Sequence, residues 1–298
     1  MKKLNLSGTW TALVTPFNED TLEVDFRALS PIIEKQIAGG VEGIVVLGTT
    51  GETVTLSMKE KIATMLQIQE IVNGRIPIIV GTGSNDTKAT LEFTMLAYEY
   101  KFDGVLLVAP YYNKPTQEGL FQHYLAISEQ VDIPQIIYNV PGRTGVNIAV
   151  ETQLKIAEEC KNVVATKEAS GNMEQIMEII KHAPEDFAVL SGDDSIAVPA
   201  VFAGAKGVIS VVSNYAPKMF SDCIRLAKEG KVAEAMKLCY ELFDLMQVNF
   251  IESNPVPVKT IMHELGIISN CIVRQPLVPI QEENLQLIKT LLKDRKIS

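Results

Sequence analysis

The sequence predicts an α/β protein, a closed (β/α)8 barrel of the TIM type with a C-terminal helical extension. Eight short apolar runs rich in β-branched residues recur over the first two thirds of the chain, at 9–14, 43–47, 77–81, 104–109, 135–139, 163–167, 187–191 and 207–212. Most are apolar at consecutive positions, as strands of a parallel sheet buried on both faces are. Helical patterns lie between them, and strict strand–helix alternation favours a closed barrel over an open doubly wound sheet. No G-x-G-x-x-G follows the first run, which removes the main support for the open-sheet dinucleotide reading.

Taken in order, the first helix begins near Asp25 and carries Phe26, Leu29, Ile33 and Ile37 at steps of three and four, one apolar stripe. Ser57-Met58-Lys59-Glu60 has the form of a capping box and opens a helix with Ile62, Met65, Leu66 and Gln69 on one face. Pro217 sits where a first-turn proline is expected. Beyond about residue 230 the strand signal stops, and 233–248, 257–265 and 282–292 read as helices. The expected division is a catalytic barrel over 1–229 and a helical domain over 230–298, packed on the barrel because no low-complexity linker separates them.

Composition narrows the function. With 298 residues, 47% apolar and 21% charged, the chain can bury a large core. A net charge of -9 argues against a nucleic-acid partner or an anionic membrane surface. Cys160, Cys223, Cys239 and Cys271 are widely spaced and form no C-x-x-C pair, so they read as reduced thiols and not as a disulfide framework or zinc knuckle. The first residues, Met1 to Gly8, lack the apolar run of a secretory signal, and no stretch approaches the roughly 20 apolar residues of a membrane span. The expectation is a cytoplasmic enzyme.

Barrel enzymes place their chemistry at the C-terminal ends of the strands. Lys167 closes the run Val163-Val164-Ala165-Thr166 there, and an amine desolvated at such a place can attack a ketone. The alternative is a structural lysine paired with Glu168 or another carboxylate. Tyr138 ends the preceding strand, so barrel order sets its phenol beside Lys167 as a proton relay; the competing role is a core tyrosine. Thr49 and Thr50, between Gly48 and Gly51, offer hydroxyl and backbone N–H donors for a small carboxylate, or simply a tight turn. Arg143, just beyond Tyr138, is a planar donor for a second carboxylate, or a solvated loop residue. Together they describe a keto-acid pocket.

The ordered motifs extend the reading over nearly the whole chain. They are Thr15-Pro16-Phe17, Gly48 to Glu52, Gly81-Thr82-Gly83, Pro110-Tyr111-Tyr112-Asn113-Lys114-Pro115, Tyr138 to Pro141 with Arg143-Thr144-Gly145, Lys167-Glu168, Ser191-Gly192-Asp193-Asp194, and Gly207 to Ser210. In this order and spacing the chain resembles the dihydrodipicolinate synthase and N-acetylneuraminate lyase family of Schiff-base aldolases. Thr49, Arg143 and the paired Tyr111-Tyr112 favour the synthase branch. The resemblance implies a lyase in which Lys167 forms an imine with pyruvate and adds it to L-aspartate 4-semialdehyde, releasing 4-hydroxy-tetrahydrodipicolinate for lysine and diaminopimelate biosynthesis.

The resemblance further implies a proton relay of Tyr138, Thr49 and Tyr112, the last reaching in from a neighbouring subunit of a homotetramer built from two tight dimers. It implies that Thr50 holds the pyruvate carboxylate, that Gly192 and Ile209 line the pyruvate pocket, and that Arg143 binds the carboxylate of the aldehyde. No metal or other cofactor is implied. Thr53, Asn85 and Tyr111 match or nearly match an allosteric lysine site of some members. Lys61 and Ala89 stand where lysine-inhibited members carry a histidine and a glutamate, so weak feedback is expected.

Two rivals follow from the residues. A metal-dependent aldolase would need clustered ligands, but His123, His182 and His263 are isolated and read as helix-surface residues. A phosphosugar barrel fits poorly because Gly204-Ala205-Lys206-Gly207 precedes the last strand, at the opposite face. A scaffold without activity would not need Lys167 or Tyr138. The residues alone leave the aldehyde partner open, a hydroxy-keto-acid aldolase included.

Overall fold

The computed structural model describes residues 4–293. Eight parallel strands follow one another in chain order around a closed barrel: β1 (Gly8–Ala12), β2 (Gly43–Val46), β3 (Ile78–Gly81), β4 (Gly104–Val108), β5 (Gln135–Asn139), β6 (Val163–Glu168), β7 (Ala188–Ser191) and β8 (Gly207–Ser210). The helices are α1 (Phe26–Ala38), α2 (Met58–Val72), α3 (Thr87–Glu99), α4 (Gln117–Ser128), α5 (Pro141–Thr144), α6 (Val150–Glu159), α7 (Met173–His182), α8 (Ala197–Phe202), α9 (Pro217–Lys228), α10 (Val232–Val248), α11 (Val256–Glu264) and α12 (Glu282–Lys293). The (β/α)8 expectation is borne out, and helices follow the last strand as the loss of strand signal implies. Among the described residues no helix is long and apolar enough to cross a membrane.

The chain forms two compact units. Among the described residues, one takes 4–8 together with Pro77–Ile209; the other takes Thr9–Ile76 and 210–293. In the first unit, β3 to β8 are buried almost throughout, which suits their largely apolar side chains and leaves the polar residues of β5 and β6 enclosed. The register here sets which side chains are neighbours: Tyr138 pairs with Lys167, Asn139 with Glu168, and Lys167 with Leu190. Gly207 pairs with Leu190, and a methyl group on it would come within 2.0 Å of the Gly8 carbonyl oxygen, so only glycine fits this close approach.

In the second unit, the strand ends fall short of the apolar runs. Leu13 still donates to the Val45 carbonyl, but the Val14 amide turns to Asn214 Oδ1 at 3.2 Å. Val211 and Val212 lead into a single 3-10 turn at Val212–Asn214, tied by the Ser213 amide to Ser210 Oγ; their apolar character reflects burial and not extension.

The helix caps follow the sequence closely and the buried faces less so. Asp25 caps α1 by accepting from the Arg27 and Ala28 amides. The buried stripe of α1 is Leu29, Ile32, Ile33 and Gln36, whereas Phe26 is exposed and Ile37 half-buried. The capping box at Ser57 and Glu60 forms, but α2 buries Thr64, Met65, Ile68 and Val72; Ile62, Leu66 and Gln69 are only half-buried. Both shifts rotate the buried face by about one position, because polar Gln36 and Thr64 take core places that a purely apolar pattern passes over. Gln36 does so by accepting from Thr11 Oγ1 at 2.8 Å and donating to the Asn214 carbonyl at 3.1 Å.

The start of α2 has a second anchor. Arg274 donates through its guanidinium to Glu60, and also to the carbonyls of Thr55 and Leu22. The Arg274 hydrogen bond holds the Glu60 carboxyl down at about 2, below its ordinary 4.5, against the opposing effect of burial. A carboxyl that titrates lower when folded stabilises the fold fully above about pH 4.5, and that contribution is lost as the pH falls toward about 2. Urea unfolding of the wild type and of Glu60→Gln should therefore show a stability gap near pH 7 that narrows by about pH 3; a gap that does not change with pH would contradict this assignment.

Candidate active site

Lys167 is the penultimate residue of β6 and is 6% exposed. Its Nζ stands 4.3 Å from the centroid of the Tyr138 ring, as expected for paired positions whose side chains share one face of the barrel. Among the described residues it makes no ion pair and no side-chain hydrogen bond. The structural pairing with Glu168 is thereby set aside, since successive strand residues point to opposite faces.

Glu168 points toward the helices and is wholly buried. Its carboxylate accepts from Asn139 Nδ2 at 2.9 and 3.1 Å, from Gln153 Nε2 at 2.8 Å, from Gln175 Nε2 at 2.9 Å and from the Ser170 amide at 2.8 Å. Uncharged donors from β5, α6 and α7 thus surround one buried charge, which satisfies the rule that such a charge must be hydrogen-bonded. The network locks the ends of β5 and β6 together immediately behind Tyr138 and Lys167.

Gly192 follows β7, its amide donating to the Glu168 carbonyl at 2.7 Å. A methyl group at this position would meet Ala169 Cβ at 2.5 Å and Lys167 Cε at 3.0 Å, so the absence of a side chain leaves room beside the lysine. Ile209 is fully buried in β8, two residues beyond Gly207. The unit therefore brings Lys167, Tyr138 and Gly192 into direct neighbourhood.

Arg143 lies in the single turn of α5 directly after β5, with an exposed side chain that makes no ion pair among the described residues. Tyr112 is 89% exposed, and its backbone takes φ +73°, a left-handed conformation that costs energy for an aromatic residue. The loop holding it is fixed on either side: the Tyr112 amide reaches the Thr144 carbonyl at 3.4 Å, and Asn113 Nδ2 donates to the Asn85 carbonyl at 2.8 Å. Tyr111 beside it is half-buried.

In the second unit, the segment after β2 folds into consecutive tight turns, with the Gly51 amide on the Gly48 carbonyl and the Glu52 amide on the Thr49 carbonyl. Thr15 Oγ1 donates to the Gly51 carbonyl at 2.8 Å. Thr49 is half-buried, and its hydroxyl has no side-chain partner among the described residues. Thr50 is 3% exposed and accepts from Asn254 Nδ2 at 2.9 Å. Thr53, in the short turn that follows, is half-buried.

Glu52 takes φ +51° and sends a buried carboxylate to Lys259 Nζ at 2.8 Å and to the Arg274 amide at 2.9 Å. Both side chains of the ion pair are essentially inaccessible. Burial pushes the Lys259 ammonium down from its ordinary value while Glu52 acts in the opposite direction. Lys259 Nζ and the Arg274 guanidinium both approach the Phe17 ring, at 4.2 and 4.5 Å. Breaking such a pair from one side strands a charge and typically costs about 3–5 kcal/mol.

Asn254, Lys259 and Arg274 are partners of the Thr50–Glu52 segment that sequence reasoning missed. One signal was available: Lys259 interrupts the apolar run Pro255-Val256-Pro257-Val258, much as Lys167 ends one. The histidine expectation needs correction at His123. His182 and His263 are exposed, but His123 is buried, with Nδ1 2.9 Å from Thr87 Oγ1, and desolvation pushes it down to about 4. Its neighbours on α4, Leu120 and Tyr124, are also buried, so it lies on the inward face of that helix.

Comparison with known proteins agrees with this geometry. Residues 5–295 match the Dihydrodipicolinate synthetase family. The 4-hydroxy-tetrahydrodipicolinate synthase of Phocaeicola vulgatus is 44% identical over 297 residues, covering 100% of this chain and 99% of the relative. The crystal structure of dihydrodipicolinate synthase from Thermotoga maritima superposes with a TM-score of 0.95 at 42% identity, covering 98% of this chain and 99% of the other. The chloride-inhibited dihydrodipicolinate synthase from Acinetobacter baumannii, solved with pyruvate, gives a TM-score of 0.95 at 43% identity over 98% of this chain and 100% of the other. With strand order, the Lys167–Tyr138 pairing and full-length similarity in agreement, the chain belongs to the Dihydrodipicolinate synthetase family.

Proposed function

We propose that this chain condenses pyruvate with L-aspartate 4-semialdehyde to give 4-hydroxy-tetrahydrodipicolinate. The observation that carries the reading is Lys167, a buried lysine with no ion-pair partner among the described residues, over the Tyr138 ring at the C-terminal end of a barrel strand. Lys167 Nζ attacks the C2 carbonyl of pyruvate, and the carbinolamine loses water to form an imine. Loss of a proton from C3 gives the enamine, whose C3 forms the new bond to the aldehyde carbon. The amine of the adduct then attacks the imine carbon, closing the ring and returning Lys167 as the free amine.

Each step moves protons, and we assign that task to Tyr138, Thr49 and Tyr112. Thr50 holds the pyruvate carboxylate, Gly192 and Ile209 line the space around the imine, and Arg143 binds the carboxylate of the aldehyde. The reaction draws on side chains alone and needs no metal or other cofactor. The outward-held Tyr112 supports a homotetramer of two tight dimers in which this residue serves the neighbouring subunit. Thr53, Asn85 and Tyr111 are assigned to a lysine site of low affinity: Ala89 is exposed and supplies no acid, and Lys61 adds a cation.

Peptide mass spectrometry after incubation with pyruvate and borohydride should find the adduct on Lys167, lost when aspartate semialdehyde precedes the reductant. An adduct indifferent to the aldehyde would point to another acceptor, and no adduct would overturn the mechanism. Tyr112→Phe should lower kcat by about 100-fold with the tetramer intact by sedimentation; normal turnover would remove Tyr112 from the relay. Lysine should leave initial rates unchanged at sub-millimolar concentration, and clear inhibition there would refute the low-affinity assignment.

A further inference from the structure

We infer that Asn254 is a positioning residue that fixes the direction in which the Thr50 hydroxyl donates its proton, an inference that rests on the assignment of Thr50 to the pyruvate carboxylate. Asn254 is 6% exposed and presents Nδ2, a pure donor, to Thr50 Oγ1 at 2.9 Å. A hydroxyl that accepts from one side keeps its own hydrogen for another partner. The only group that hydrogen can serve well is an acceptor, and a carboxylate oxygen is the strongest available.

The other end of the amide sharpens the point. Asn254 Oδ1 is buried and has no hydrogen-bond partner among the described residues. A buried carbonyl left in this state is costly, typically about 1–3 kcal/mol, and an apolar residue of similar size would avoid the cost. What an apolar residue could not supply is the donor to Thr50.

The segments on both sides of this contact are tied together by the Glu52–Lys259 pair. Glu52 lies two residues after Thr50 and Lys259 five after Asn254, and their side chains meet at 2.8 Å. The Arg274 amide holds the second oxygen of Glu52 at 2.9 Å. Asn254 therefore orients the hydroxyl, and the ion pair keeps the two segments at the distance where it can do so.

Asn254→Asp tests this by replacing the donor with an acceptor of the same shape, which captures the Thr50 proton. Steady-state kinetics on the full-length protein should show the KM for pyruvate raised by about tenfold with kcat within about twofold, the signature of lost ground-state binding. Borohydride trapping with hydroxyacetone, a ketone without a carboxylate, should proceed at the wild-type rate. In a Thr50→Val background the same Asn254→Asp substitution should add nothing to KM. Asn254→Ala provides a second variant should the aspartate unfold the chain, and it should raise KM less, because Thr50 loses its guide but keeps its proton. Equal losses with pyruvate and hydroxyacetone, or effects that multiply with Thr50→Val, would overturn the inference. A Thr50→Val protein with unchanged pyruvate KM would instead refute the role of Thr50 itself.

Discussion

The buried Glu168 carboxylate is the constraint on which the reactive centre depends. It sits one residue beyond Lys167 and takes its hydrogen bonds from Asn139, Gln153, Gln175 and the Ser170 amide. Because Asn139 follows Tyr138 on the neighbouring strand, the same carboxylate that anchors β6 also anchors β5. The phenol and the amine are adjacent because a charge on the reverse side of the sheet would be stranded in any other register. A slip of one residue would send Lys167 toward the helices and Glu168 into the barrel.

The two buried lysines show how partner choice separates chemistry from architecture. Lys167 and Lys259 both occur in apolar segments and both lie over an aromatic ring. Lys259 has Glu52 at 2.8 Å and is thereby a structural cation. Lys167 has no carboxylate partner among the described residues, and its side chain faces a space kept open by Gly192. A nucleophilic amine needs the second environment, since an ammonium held by a carboxylate has no lone pair to offer.

Much of this was legible in the sequence, for local reasons. Apolar runs marked the strands because both of their faces are covered, and the Ser57–Glu60 capping box was readable because capping is a short-range hydrogen-bond pattern. Lys167 and Tyr138 followed from barrel order, and Gly192 from the resemblance that the ordered motifs carry. The failures lie where burial is decided by tertiary partners. Gln36 and Thr64 entered the core in place of expected apolar neighbours, and His123 turned inward to meet Thr87. The partners of Glu52 and Thr50 stand 207 and 204 residues away along the chain, beyond any periodic or spacing argument. Val211 and Val212 resembled strand because a buried 3-10 turn and a buried strand ask for the same side chains.

The composition of the Glu168 cage has a further consequence. Its side-chain donors are amides, which carry no net charge, and they are sealed from solvent, so counter-ions have little to screen. The strand register behind Lys167 is therefore indifferent to ionic strength, whereas the partly accessible Arg274–Glu60 contact at the start of α2 is open to salt as well as to acid. As ionic strength varies, the alignment of Lys167 with Tyr138 is insulated, and any salt-dependent loosening falls on contacts such as Arg274–Glu60.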